Sequence, residues 1–394
     1  MHAVAPRPDK PLTLYVCGPT VNDVAHVGHG RTYLYFDLVR RVLRDQGVPV
    51  RHVMNITDFE DKITARAISL GLSWRELARR EARRFRADLS ALRLLPPHRT
   101  PWASQFVPDM IRLVRRLEKH GGVHREGDSW YYTPPTRDPR NFPVGRDLAA
   151  HAVPEPGQSL DALDRQAIDF LVWRRQEAPA ASWPSPWGAG APGWHLECFA
   201  MAERHLGIPV DLHGGGADLV FPHHYAENEI ALALRDSLFS RHFLHTAFVT
   251  EDRTKMSKSL GNLVPLRAAL DEHGADSVRW YLLSQPLHLR LEWDDRGPTR
   301  AGSTYTNVRT RLRESLAPGA GGGLATAELR ETVDRISREL GDGLRAESAL
   351  GTLVRWGELV GRTPNGRFPR GDRSAARDLY RRLERLLGLE LIAA

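Results

Sequence analysis

Near its start the chain alternates in a way that few folds can satisfy. Residues 12–17 (LTLYVC) are a continuous apolar, β-rich run, and GPT follows as a turn. The stretch HVGHGRTYLYFDLVRRVLRDQG then reads as an amphipathic helix ending at Gly47, and residues 49–55 (PVRHVMN) read as a second strand. Strand, helix and strand in that order cross over to a parallel neighbour, which predicts an α/β fold built on a parallel sheet.

Ser73 and Glu76 form a capping box for a helix running to about Leu92, with Trp74, Ala78, Ala82, Phe85, Leu89 and Leu92 on one face. Arginines cover its other faces, where a solvated surface is the plainer reading. Pro96, Pro97 and Pro101 break the pattern, residues 105–120 look helical, and 127–148 look like hairpin and loop. We therefore expect residues 1–95 to be the first half of the core and 96–165 an insertion into the sheet. Strand signals resume near DFLVW (169–173), so 166–264 is expected to be the second half of the core. There VDLHGGGADL (210–219) reads as a strand meeting a glycine loop, FPHHYAENEIALALR as a helix start, and FLHTAFVT (243–250) as the last strand. From 265 to 394 the chain is mostly helical, with a glycine-rich break at 318–323. Arg381, Arg382 and Arg385 read as a solvated helix face.

A chain of 394 residues allows two or three domains with real cores. No apolar run approaches the ~18 residues a membrane span needs, and the N-terminus carries no secretory pattern. Two cysteines exclude a disulfide scaffold and make a reducing cytoplasm the expectation. The formal charge is +7, but of 55 basic residues only five are lysine: Lys10, Lys62, Lys119, Lys255 and Lys258. Arginine richness of that kind follows coding bias, so net charge says little about partners, while the placement of the few lysines says more.

Two motifs carry chemistry. In HVGH, His26 and His29 lie one turn apart where a helix leaves a parallel strand. Its free N–H groups and positive dipole end suit phosphate, and Gly28 lets a flat base come close. Two surface histidines near a turn would explain that motif alone. In KMSKS (255–259), Lys255 and Lys258 can clamp a triphosphate and neutralise charge as pyrophosphate leaves. A solvated turn is the plain alternative, weakened because lysine is scarce. Together, after the first and last strands, the two motifs are far more specific than either alone.

That pair, with YVCGPTVND, NITDFEDKI, DFLVW, SWPSPWGAGAPGWHLEC, DLHGGGADLVFPHH and KMSKSLGN in order, resembles the cysteinyl-tRNA synthetases, a family of class I aminoacyl-tRNA synthetases. The resemblance covers about 12–300 and extends to the mycothiol cysteine ligases, which share this core. It implies a Rossmann-like catalytic core followed by a helical bundle. It also implies activation of L-cysteine by ATP, with Mg²⁺, to cysteinyl-adenylate and pyrophosphate.

His26, His29, Lys255 and Lys258 would carry that step. Gly18, Gly28 and Thr32 would lie near the nucleotide, with Gly216 and Asp218 at adenosine and Val249 packing on adenine. Asn55 and Thr57 would line the adenylate site, and Thr20 and Trp194 the amino-acid pocket. Cys17, Cys198, His223 and Glu227 offer two thiolates, an imidazole and a carboxylate, a set suited to one Zn²⁺ per chain. On residues alone, two buried free cysteines would be the default; the resemblance implies zinc. Because this chain reads HHYAENE where the family reads HHENE, Glu229 is the alternative fourth ligand, and Glu227 fits better by its spacing from His223.

The acceptor divides the resemblance. The anticodon-domain patterns of the synthetases are not found, and LERLLGLEL resembles the tail of the mycothiol ligases. The block LDALDRQAIDFLVW and Lys62 sit closer to the synthetases. A small-molecule or carrier amine is the first expectation, tRNA the second, and a monomer with no membrane association is expected.

Overall fold

The first apolar run forms strand β1 (Leu12–Val16), the helix behind the turn is α1 (Val27–Asp45), and the chain returns in β2 (Val50–Met54). β1 and β2 pair in parallel, Leu12 opposite Val50 and Val16 opposite Met54. The structure, a computed structural model, describes residues 10–134, 140–141, 169–251, 254–256, 262–319 and 321–392.

Helices α2 (Asp61–Ser69), α3 (Trp74–Ala91) and α4 (Val107–His120) follow. At the start of α3 the Ser73 hydroxyl accepts from the Glu76 N–H, and the Glu76 carboxylate accepts from the Ser73 N–H at 2.9 Å. The apolar face expected for α3 is buried along its length from Trp74 to Leu89.

Strands β3 (Val123–Glu126), β4 (Ser129–Tyr132), β5 (Phe170–Arg175) and β6 (Gly190–Pro192) form one antiparallel sheet in sequence order. Its last strand lies well past residue 165. DFLVW does not rejoin the parallel sheet: Trp173 pairs with Trp130 on one side and Pro192 on the other. The added sheet therefore runs to Pro192. The parallel sheet resumes only after α5 (His195–His205), with β7 (Val210–Gly216).

Next come a short turn at Ala217–Leu219, a wide helical turn at Val220–His224, and α6 (Tyr225–Arg235). The expected single strand over 243–250 is two. β8 (Ser240–Thr246) pairs with β7, and β9 (Val249–Glu251) turns away to pair with β10 (Thr254–Lys255). After α7 (Leu266–His273) and α8 (Ala275–Leu282), β11 (Leu291–Glu292) joins the other edge of β9. The helical region is α9 (Arg296–Ser315), α10 (Thr326–Gly341), α11 (Ala346–Arg362) and α12 (Arg373–Leu387).

The main sheet is ordered β2–β1–β7–β8, all parallel. α1 packs its buried face on it. A methyl group on Gly214 would come within 2.1 Å of the Phe36 ring, so glycine sets how closely α1 approaches β7.

One buried ion pair joins the core to the helical region. The Asp37 carboxylate of α1 accepts from Arg279 of α8, from Arg41 Nε at 2.7 Å and from the Leu95 N–H at 2.8 Å. Arg279 also donates to the Leu387 carbonyl, at the end of α12, at 2.6 Å. Arg382 is not simply solvated: it donates to Asp45 of α1 at 2.9 Å and to Asp334 of α10 at 3.0 Å. Among the described residues no helix is long and apolar enough to cross a membrane.

Candidate active site

β1 and β7 are neighbours, so their carboxyl ends open together, where ligands bind in parallel sheets. Cys17 follows β1 directly, and its N–H donates to the Gly214 carbonyl at 2.9 Å. The Gly18 N–H donates to Asn55 Oδ1 at 2.7 Å. A methyl group on Gly18 would stand 1.6 Å from the Asn55 carbonyl, so only glycine lets these two strand ends cross. Beyond them Thr20 bridges Thr57 in parallel fashion. The Thr57 hydroxyl donates to Glu197 Oε2 at 2.7 Å, linking the end of β2 to α5.

Cys17, Cys198, His223 and Glu227 converge although 181 residues separate the two cysteines: their ligand atoms all lie within 4.8 Å of one another, and all four are buried. The Sγ atoms are 3.7 Å apart, close to the ~3.8 Å edge of a tetrahedron with ~2.3 Å zinc–sulfur bonds. The His223 Nδ1 sits 3.2 Å from His195, while its Nε2 faces Glu227 Oε1 at 3.5 Å. That Nε2 and that Oε1 are buried without a hydrogen-bond partner, which orphaned ligand atoms aimed at a cation would be. The donor set therefore fits Zn²⁺. Burial pushes both thiols up, which a divalent cation would reverse by drawing out thiolates, and pushes the His223 imidazole down, towards the neutral form that ligates a metal. Burial also raises Glu227, against the pull of His213. Glu229 lies outside the cluster and accepts from Asn141 Nδ2 at 2.6 Å.

His26 caps α1. Its Nδ1 accepts from the Gly28 N–H at 3.1 Å, and His29 Nδ1 accepts from the His26 N–H at 3.4 Å. The two rings stand 3.9 Å apart. A methyl group on Gly28 would be 2.8 Å from the His26 ring, so glycine allows the fold-back.

The chain leaving KMSKS is stitched to this cap. Val27 N–H donates to the Val264 carbonyl at 3.0 Å, and Leu266 N–H to the Ala25 carbonyl at 2.8 Å. Lys255 ends β10, its backbone opposite Thr250; Lys258 lies outside the described residues. The structure thus brings residues 264–266, a few residues beyond KMSKS, to the His26 cap.

The other expected residues lie on α1, on β7 and the turn behind it, on β9 and just ahead of α5. Thr32 meets Thr246 hydroxyl to hydroxyl at 2.8 Å. Gly216 ends β7, with Asp218 in the turn behind it. Val249 is buried in β9, and Trp194 stacks on His223 with ring centres 4.3 Å apart.

Sequence reasoning missed several histidines. His213 bonds Glu227 Oε2 at 2.8 Å and the Tyr15 carbonyl at 3.0 Å. His224 stands 3.4 Å from Cys17 Sγ and 2.8 Å from His245. Cys17, His213 and His224 form a second, overlapping group of ligand type. Their signal was present in LHGGG and FPHH, where only one histidine of each neighbourhood, or none, was weighed.

The family described as tRNA synthetases class I (C) catalytic domain matches residues 3–301. The L-cysteine:1D-myo-inositol 2-amino-2-deoxy-alpha-D-glucopyranoside ligase of Thermomonospora curvata is 38% identical, over 89% of this chain and 84% of that one. A cysteine--tRNA ligase of Anaeromyxobacter sp. is also 38% identical, over 87% of this chain and 72% of its own. Among solved structures, Mycobacterium tuberculosis methionyl-tRNA synthetase in complex with methionyl-adenylate superposes with a TM-score of 0.69. That match is 18% identical and covers 96% of this chain and 89% of that chain, a likeness of fold.

Proposed function

The chain belongs to the class I (C) tRNA synthetase family, and from that premise we propose that it is a ligase that activates L-cysteine with ATP and passes the cysteinyl group to an acceptor. One observation carries the cysteine part: two thiols, an imidazole and a carboxylate, all buried and within 4.8 Å of one another, beside the strand β1 that leads on to the paired-histidine cap of α1.

Cys17, Cys198, His223 and Glu227 would hold Zn²⁺, which when bound would supply a Lewis-acid contact that prefers a substrate sulfur to a serine hydroxyl. Trp194 and Thr20 wall the amino-acid pocket, and Asn55 and Thr57 hold its floor against Glu197. The carboxylate of cysteine is already a nucleophile. It attacks the α-phosphorus of ATP, a P–O bond forms as the bond to pyrophosphate breaks, and no general base is needed. His26 and His29 donate to phosphoryl oxygens at the α1 N-terminus, and Lys255 and Lys258 neutralise the departing pyrophosphate, with Mg²⁺ as the nucleotide's counterion. Gly18, Gly28, Thr32, Gly216, Asp218 and Val249 line the nucleotide side. The acceptor then attacks the activated carbonyl and releases AMP.

The first reading of the acceptor is a small-molecule or carrier amine. The feature that favours it is the LLG-x-x-L stretch, which resembles that of the mycothiol ligases. Gly388 turns the chain at φ +69°, and Leu389 and Leu391 fold back into the core. The second reading, tRNA, is favoured by Glu227 in the cluster, a position where the synthetases carry glutamate.

Cysteine-dependent ATP–pyrophosphate exchange tests activation, and its absence from the purified protein refutes both readings. Charging of purified tRNA, run beside ligation to an amino-sugar amine, separates them.

A further inference from the structure

Arg31 lies two residues beyond His29 on α1 and is fully buried. Among the described residues no carboxylate stands within ion-pair distance of it. Its guanidinium is instead spent on main-chain oxygens. Nη1 donates to the carbonyls of Ala247 at 3.1 Å, Phe248 at 3.3 Å and Leu289 at 2.9 Å. Nη2 donates to those of Pro286 at 2.9 Å and Gln285 at 3.4 Å. A buried, permanently charged group without a counter-ion is costly, and a ring of carbonyl dipoles is the arrangement that keeps it tolerable.

The acceptors come from two segments only. Residues 247–248 are the turn from β8 into β9, and 285–289 are the loop ahead of β11. β9 and β11 pair with each other, Val249 opposite Leu291. The same segments are tied together by the Ala247 N–H on the Leu287 carbonyl at 2.8 Å and by the Leu291 N–H on the Phe248 carbonyl at 3.0 Å. Tyr35, one turn further along α1, adds its hydroxyl to the Gln285 carbonyl at 2.7 Å. Lysine could not replace this, since one ammonium has three donors and no planar fork.

We infer that Arg31 is a positioning residue that locks the β9–β11 pair onto α1 and so sets the spacing between Val249 and the His26–His29 cap. Resting on the proposed assignment of ATP to this cleft, the lock holds the adenine side of the site in register with the phosphate side. It leaves the sulfur end, built on β1, α5 and α6, alone.

The test compares wild type, Arg31→Met and Arg31→Lys in ATP–pyrophosphate exchange. Arg31→Met is expected to raise KM for ATP roughly tenfold or more while KM for cysteine stays within about twofold, with Arg31→Lys between. An equal rise in both constants, or no rise in either, overturns the inference. Backbone amide exchange on the same proteins gives a readout independent of activity. In Arg31→Met it should quicken across 247–251 and 285–292 while 12–16 and 210–216 keep their protection. Uniform quickening, or none, overturns the lock. If wild type shows no exchange activity, the ATP reading falls, and the amide pattern still decides the lock. Should Arg31→Met fail to fold, Arg31→Lys carries both arms.

Discussion

At the scale of single residues, the cluster of Cys17, Cys198, His223 and Glu227 makes the sharpest claims. Cys17→Ser should lose bound zinc and cysteine activation together. The loss should exceed the roughly 10–100-fold that removal of an outer-shell partner costs in metal affinity. Metal analysis beside pyrophosphate exchange measures it, and normal activation after loss of zinc would refute the metal's role. Glu227→Gln should cut zinc content in the same direction, whereas Glu229→Gln, whose carboxylate faces Asn141, should keep it; the reverse ranking would hand the position to Glu229. How much of this was readable beforehand differs by residue. His223 and Glu227 are four apart and share a helical face, so their pairing followed from spacing. That Cys17 meets Cys198 did not, because no local pattern reports a contact across 181 residues; only family resemblance joined them. Arg31 was unreadable for a related reason. In a chain with 55 basic residues, an arginine on a helix looks like one more solvated side chain, and only tertiary contacts reveal its buried carbonyl ring.

At the scale of elements, periodicity predicted helix positions well, because a helix and its caps are written within a few turns of sequence. Strand partnership is not local. The run DFLVW has the same apolar character whichever sheet receives it; it was read as the return to the core after an insertion over 96–165, and it lies instead inside an antiparallel sheet that ends at Pro192. Likewise FLHTAFVT hides the break at 247–248, where the backbone leaves one sheet for another. Glycines at element contacts can be tested directly. Gly214→Ala drives a methyl group into Phe36 and the Leu244 carbonyl, and should cost about 1–3 kcal/mol, as overpacking does. Urea unfolding measures it, and a neutral outcome would mean α1 is free to move off β7.

At the scale of the whole molecule, Arg279 and Arg382 both tie the helical region to the core, and magnitudes separate them. Arg279 and Asp37 are both buried, so Asp37→Ala strands a charge and should cost about 3–5 kcal/mol. Arg382 is partly exposed on Asp45 and Asp334, and Arg382→Ala should cost about 1 kcal/mol or less. Equal costs would contradict the burial argument. Burial pushes the Asp37 carboxyl up, but Arg279, Arg41 and the Leu95 N–H outweigh it and hold it below the ordinary carboxylate value. A depressed carboxyl contributes stability above the unfolded pKa of ~3.9 and loses it as pH falls through the folded value. Asp37→Asn should therefore be less stable than wild type near neutral pH yet lose less on acidification. Denaturant midpoints at about pH 6 and about pH 3 check the sign.

The antiparallel sheet also has a mechanical meaning. Its last strand, β6, runs within a few residues into Trp194 and then Cys198, with no loop long enough to absorb motion. That sheet is a handle whose short shaft ends at the cluster of Cys17, Cys198, His223 and Glu227. Force applied to it, for instance through an engineered graft, is delivered to the side chains of that cluster.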